Sequence, residues 1–296
     1  MTYATNPKYR ETLSPETVEK KFNRPKAEEF SLPRLTKEAG FSWRAALQAM
    51  LKKPRKFMAG GLAAVSKSKS LIEDPQYRDR WAATLGEYAD WYFCDKSFLH
   101  SIHWMGVPTR KMIFDIWVYH EIIFETKPDV ILEIGSWFGG STLFLGNVCD
   151  NMNHGEVISI DINHDAFRGH HPRVTTITGD CSDPHIVQQV KDRLVGKTVM
   201  VIHDGDHQRF AVARDLEIYA PLVTPGMYLV VEDGIVDLFA PEHSKLRRAY
   251  PDGGPLQPAR DVAVKWADDF ELDMTRERFI LTTNPSGYYR RRVKGN

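Results

Sequence analysis

The runs VIHDGDHQ and VVEDG carry the densest chemistry in the chain: His203, Asp204, Asp206 and His207 in the first, Glu232 and Asp233 in the second. If both runs close neighbouring strands, lying ~4.8 Å apart, their acids share one small volume. Like charges packed in this way raise each other's pKa unless a cation neutralises them. Oxygen donors suit a hard ion such as Mg²⁺, with water or substrate completing its shell. The bland alternative is acids that cap following helices or rest in water at strand ends. Asp206 is expected to follow that alternative, whereas Asp204, Glu232 and Asp233 together are expected to hold metal. Side chains alternate across a strand, so Glu232 and Asp233 reach one ion only if the strand ends before them, which Gly234 allows. His207, three residues after Asp204, is placed to take a proton from a metal-bound hydroxyl. His203 precedes the strand end and is expected to be buried and hydrogen-bonded.

A second constellation is DVILEIGSWFGGS. Glycines at 135, 139 and 140 permit a tight turn and close approach of a ligand to backbone. Ser141 can cap the following helix, whose N-terminal amides favour an electron-rich group. The dinucleotide fingerprint G-x-G-x-x-G is broken after Gly135, and Glu133 gives E-x-G instead. Asp161 closes the next strand, where a carboxylate can accept from both ribose hydroxyls. Asp180, followed by Cys181 and Ser182, closes the third, within reach of an adenine amino group. The loop alone is equally consistent with a turn that binds nothing; acid-bearing ends on three successive strands favour a nucleoside. Its expected contacts are Glu133, Gly135, Ser136, Gly139, Gly140, Ser141, Asp161, Asp180 and Cys181.

These residues need a parallel sheet to converge. From Pro128 short apolar runs alternate with amphipathic stretches, the pattern of repeated βα units. Strands are expected at 129–135, 156–162, 174–180, 198–204 and 227–233, and helices at Ser141–Cys149, His185–Leu194, Arg209–Tyr219 and Ala259–Asp268. RFILTT (278–283) and YYRRRV (288–293) flank the turn sequence NPSG and are expected to pair as an antiparallel hairpin at the sheet end. The fold class is α/β, a mostly parallel doubly wound sheet with a helical N-terminal extension. Upstream, residues 1–30 read as a flexible arm and 31–105 as the extension, with helices around FSWRAALQAMLKK and from Pro75 to Tyr92; a third helix is expected from Thr109 to Thr126. Residues 106–296 are expected to form the sheet domain.

Lys plus Arg and Asp plus Glu each total 39, so a field that attracts nucleic acid or anionic membrane is not expected. Three scattered cysteines exclude a disulfide framework or zinc motif. The first residues lack an apolar h-region and no window reaches ~18 apolar residues, so a soluble cytoplasmic protein is expected.

The motifs HWMGVPTRKMIFDIWVYHEII, PDVILEIGSWFGGSTLF, ISIDI, GDCSD, IHDGDH, LVTPGMYLVVEDG and RFILTTNPSGYYRRR, in this order across about residues 100–293, resemble the cephalosporin hydroxylase-like and rhamnosyl O-methyltransferase family. Macrolide sugar O-methyltransferases look like more distant relatives. The resemblance implies a Rossmann-like class I methyltransferase domain, with S-adenosylmethionine and a divalent ion, most simply Mg²⁺, as cofactors. Carried over by position, it implies Asp204, Glu232 and Asp233 as metal ligands and His207 as general base beside Asp204. It further implies Gly135, Ser141 and Asp161 at the donor, and Trp104 and Tyr119 over the acceptor. A sugar hydroxyl acceptor, no nucleic-acid partner and a homo-oligomer are further expectations. Three rivals stay open. One is a metal-dependent hydroxylase, whose facial triad needs two histidines and a carboxylate. The others are a nicotinamide oxidoreductase, against which the broken fingerprint counts, and a non-catalytic nucleoside-binding scaffold.

Overall fold

The computed structural model describes residues 102–238, 245–279 and 281–294. The expected arm, the helices before residue 100 and most of the N-terminal extension lie outside the described residues. The described chain opens with a two-stranded hairpin, β1 (His103–Trp104) and β2 (Val107–Pro108), in which Trp104 pairs with Val107. This hairpin spans residue 105, where the extension was expected to give way to the sheet domain.

Helix α1 (Ile113–Thr126) starts four residues later than expected. The amide of Thr109 is already given to the carbonyl of Ile102, and Met112 is extended, so residues 109–112 form a strap rather than a helical turn. The buried side of α1 is Asp115, Val118, Tyr119, Ile122 and Ile123, leaving Ile113 and Trp117 exposed.

Seven strands follow in the order β5-β4-β3-β6-β7-β9-β8. β3 (Val130–Ile134), β4 (Glu156–Asp161), β5 (Val174–Thr178), β6 (Val199–His203) and β7 (Tyr228–Val231) are parallel. Their apolar runs serve both faces with a period of two. Leu132, Ile134, Val201 and Leu229 pack under α3 (Pro184–Leu194), α4 (Arg209–Tyr219) and α6 (Leu256–Lys265). Ile131, Met200, Ile202 and Val230 pack under α1 and α2 (Gly140–Asn151). Burying each such side chain contributes roughly 1.5–3 kcal/mol. A short helical turn, α5, spans Lys245–Arg248. α6 begins three residues earlier than expected because the Asp237 carboxylate accepts from the amides of Gly254 and Leu256 (2.7 and 3.0 Å). No helix among the described residues is long and apolar enough to cross a membrane.

The antiparallel sheet end exists, but one of its strands differs from the expectation. β9 (Tyr288–Arg291) pairs with β7 and with β8 (Phe270–Leu272), not with RFILTT. The backbone and hydroxyls of Thr282 and Thr283 are drawn instead to the buried carboxylate of Asp115. Its Oδ1 accepts from Thr282 Oγ1 (2.5 Å) and Tyr288 Oη (2.9 Å), and its Oδ2 from the Thr283 amide (2.8 Å) and hydroxyl (2.9 Å). A segment with its amide committed to a helix side chain cannot also form a ladder.

Asp115→Ala would strand several buried donors at once, each costing ~1–3 kcal/mol. Urea unfolding is expected to show a loss of at least ~3 kcal/mol, and an unchanged midpoint would dismiss this network as a stabiliser.

Candidate active site

Chain order runs outward from β3 through β4 to β5, then returns to β6 and β7 on the other side. Ligands bind beyond the carboxyl ends of strands at such a reversal. A cavity of about 650 Å³ lies there, bordered by Gly135, Ser136, Gly140, Ser141, Asp161, Asp180 and Cys181, and by Asp204, His207 and Asp233.

The loop after β3 is set by contact with the end of β6. Gly135 has φ +89°, and a Cβ there would fall 2.0 Å from the carbonyl oxygen of Asp204. Only glycine meets both demands. Asp161 Oδ2 accepts from the amides of Ser136 (2.8 Å) and Trp137 (2.9 Å), and Oδ1 from that of Asn163 (3.1 Å). Burial pushes this carboxyl up, but the three amides outweigh it and hold it below its usual value. At the loop's far side a Cβ on Gly140 would meet Thr109 Oγ1 at 2.0 Å and the Pro108 carbonyl at 2.2 Å, so the strap crosses directly over the start of α2.

Two expected donor contacts are placed elsewhere. Glu133 is fully buried and does not line the cavity; its carboxylate accepts from Ser141 Oγ (2.6 Å), Ser159 Oγ (3.0 Å) and Thr142 Oγ1. Ser141 borders the cavity, but it lies inside α2 with its hydroxyl turned to that buried acid, and Gly139 holds the cap position with no side-chain bond. Gly139 itself does not line the cavity. At the opposite end Asp180 Oδ1 accepts from the amide and hydroxyl of Ser182 (both 2.8 Å). Burial and nearby Asp215 push the Cys181 thiol up to about 12, so it borders the cavity as a neutral group.

Asp204 and Asp233 meet at the ends of β6 and β7, whereas Glu232, also expected to hold metal, is buried, does not border the cavity and reaches Asp204 through Lys111. β7 ends at Val231, and Asp233 stands in a left-handed conformation (φ +59°) before a 3₁₀ turn, which frees it from strand alternation. Asn284 Oδ1 accepts the Asp233 amide (3.0 Å), while Asn284 Nδ2 donates to Tyr119 Oη (3.1 Å), so a buried polar chain supports the cluster from behind. At its centre is a side chain that the sequence reading missed. Lys111 Nζ donates to Asp204 Oδ2 and to Glu232 Oε1, both at 2.5 Å, with the lysine 4% exposed and Glu232 2% exposed. Burial would lower the lysine's pKa, but Asp204, Glu232 and Glu133 override it and hold it above its ordinary value. Glu232 is pushed well up, first by burial and then by Asp204, against the pull of Lys111. Asp233 rises to about 6, chiefly through burial, opposed by His207.

His207 Nε2 lies 3.3 Å from Asp233 Oδ2 and 3.7 Å from Asp204 Oδ1. Asp204, His207 and Asp233 offer ligand atoms within 4.8 Å of one another. Asp206 stays outside this group and turns its own loop, accepting from the Gln208 amide (2.9 Å). His203 is buried and paired with Asp215 (3.0 Å), so it cannot supply the second histidine of a facial triad.

Trp104 and Tyr119, expected over the acceptor, do not border the cavity. Trp104 Nε1 donates to Asn147 Oδ1 (2.8 Å) on α2 and the ring packs edge-on to Phe144, while Tyr119 is buried under Glu232. Arg110, Trp137 and Tyr250 border it instead, with the Arg110 guanidinium 3.6 Å from the centroid of the Trp137 ring. One signal for Arg110 and Lys111 was available. Two cations just before a helix oppose its dipole and need another partner.

The family described as Rhamnosyl O-methyltransferase/CmcI matches residues 96–292. The rhamnosyl O-methyltransferase of Mycobacterium leprae is 32% identical over 207 residues, covering 67% of this chain and 87% of that protein. That of Mycobacterium tuberculosis is 29% identical over 214 residues, covering 70% and 84%. Among solved structures, cmcI-D160 Mg-SAM is 22% identical, with a TM-score of 0.48, covering 66% of this chain and 78% of that one.

Gly135→Ala would set a clash and a strained φ against the Asp204 backbone. Strain alone costs ~1–3 kcal/mol, so calorimetry is expected to show a melting temperature at least ~5 °C lower. A variant as stable as the parent would refute this contact.

Proposed function

This chain belongs to the Rhamnosyl O-methyltransferase/CmcI family and is an S-adenosylmethionine-dependent O-methyltransferase; we propose that it methylates a hydroxyl of a sugar or glycosylated natural product, using a divalent ion at the acidic cluster. The observation behind this reading is that one cavity joins the amide-braced Asp161 to Asp204, His207 and Asp233. The names of the Mycobacterium relatives support a sugar acceptor.

Asp161, kept ionised by the loop amides, accepts hydrogen bonds from the donor's ribose hydroxyls. Asp180 and Cys181 border the adenine, and the turn at Gly135 and Ser136 sets the depth of the donor's reactive end. Holding the two reactants in line supplies the orientational part of the rate. The cluster fits a cation because it already grips one, the Lys111 ammonium between Asp204 and Glu232. Asp204, Glu232 and Asp233 would hold a divalent ion, which when bound stabilises charge on an oxygen that is losing its proton. His207 takes that proton at Nε2, and Asp233 beside it steadies the resulting imidazolium.

The test is titration with S-adenosylmethionine, together with turnover on a panel of rhamnosides and their aglycones, before and after chelation. Donor binding is expected to survive chelation and turnover to be lost. His207→Ala should lower kcat by ~10²–10⁴-fold with donor affinity unchanged. Turnover persisting in protein shown free of metal would remove the ion from the mechanism, and methylation of aglycones alone would remove the sugar.

Because burial pushes the Asp233 carboxyl up to about 6, a proton competes with the ion below that value. Manganese(II) affinity at this site is expected to fall by up to about tenfold per unit as pH drops from ~6 to ~5. Asp233→Asn should flatten that dependence, leaving the part due to Glu232, and an unaltered pH profile in the variant would show that Asp233 has no share in it.

A further inference from the structure

The acidic cluster contains its own positive charge. Lys111 sits on the strap two residues before α1, where the helix dipole disfavours a cation. Its side chain is almost fully buried, a state lysine rarely adopts without carboxylate partners. Both partners are acids expected to take the divalent ion, and the ammonium occupies Asp204 Oδ2 and Glu232 Oε1. The lysine thus bridges the end of β6 to the end of β7, beside His207, whose Nε2 lies 3.7 Å from Asp204 Oδ1 and 3.3 Å from Asp233 Oδ2. From behind, the groups that meet the cluster are neutral: Tyr119 hydrogen-bonds Glu232, and Asn284 accepts the Asp233 backbone amide.

We propose that Lys111 is a tethered counter-ion: it keeps Asp204 and Glu232 converged when no metal is bound, and it weakens the divalent ion by occupying one oxygen of each acid. The two cations then act on the same carboxylates in opposition. A lysine that keeps the acids together lets the cavity keep its shape between turnovers. A lysine that also repels the ion leaves that ion exchangeable rather than permanently buried. Lys111 is thus a positioning residue rather than a catalytic one. The inference rests on reading the cluster as an ion site, and the experiment separates the two.

The test uses the full chain with Lys111→Met, a substitution that preserves length and removes charge. Melting temperature is measured in chelator and in excess Mg²⁺, and manganese(II) affinity is measured by electron paramagnetic resonance. The wild type is expected to melt within ~2 °C in the two buffers, whereas Lys111→Met in chelator falls at least ~6 °C below it and recovers most of that loss in Mg²⁺. Manganese(II) should bind the variant about tenfold tighter or more, because a like charge has gone. A residue that was merely structural would shift affinity the other way. Equal or weaker manganese binding by Lys111→Met overturns the proposal while leaving the ion reading intact. Absence of manganese binding in both proteins, with the wild type still turning over, overturns the ion reading and the proposal together.

If Lys111→Met does not fold in either buffer, Lys111→Gln, equally uncharged but able to hydrogen-bond both acids, carries the test. It is expected to bind manganese(II) about tenfold tighter than wild type or more. Equal or weaker binding by Lys111→Gln overturns the proposal.

Discussion

Carboxylates held away from water must be compensated, and this requirement shapes the whole carboxyl end of the sheet. Glu232 is buried where β7 ends, and Asp204 and Asp233, only partly exposed, gather beside it at the cavity wall. Each neighbouring element answers that demand in a different way. The strap before α1 gives up helical structure to deliver Lys111. The segment after the expected hairpin strand stays irregular so that Asn284 can hold the Asp233 amide. α1 is rotated so that Asp115 and Tyr119 face inward, which leaves Ile113 and Trp117 outside.

The glycine-loop side shows the same principle on a smaller scale. Glu133 is buried, and three hydroxyls from α2 and β4 surround it. Asp161 is half-buried, and amides of the glycine loop surround it. The first acid therefore belongs to the scaffold, and the second keeps a face toward the cavity. Two carboxylates on adjacent parallel strands are sorted into different duties by which donors reach them, not by residue type.

What could be read from the amino acids followed locality. Asp161, Asp204, His207 and Asp233 each stand at a strand end marked by its own short motif, so the strand pattern alone was enough to bring them together. Lys111 meets its partners across 93 and 121 positions of chain, and no local signal names a partner that distant. The same blindness explains RFILTT. Its apolar alternation suits a strand, yet Thr282 and Thr283 are claimed by Asp115, 167 and 168 positions earlier. Trp104 shows the reverse case: a polar-tipped aromatic near a site found a nearer partner in Asn147 and turned its back on the cavity.

The strap of residues 109–112 carries a consequence beyond its individual contacts. Arg110 lies on Trp137 in the glycine loop, and the very next side chain, Lys111, reaches into the acids on the far side. Two consecutive side chains thus reach the two sides of the cavity from a single peptide link. The glycine loop and the acidic cluster are therefore braced by one short piece of backbone, and neither wall of the cavity is built independently of the other.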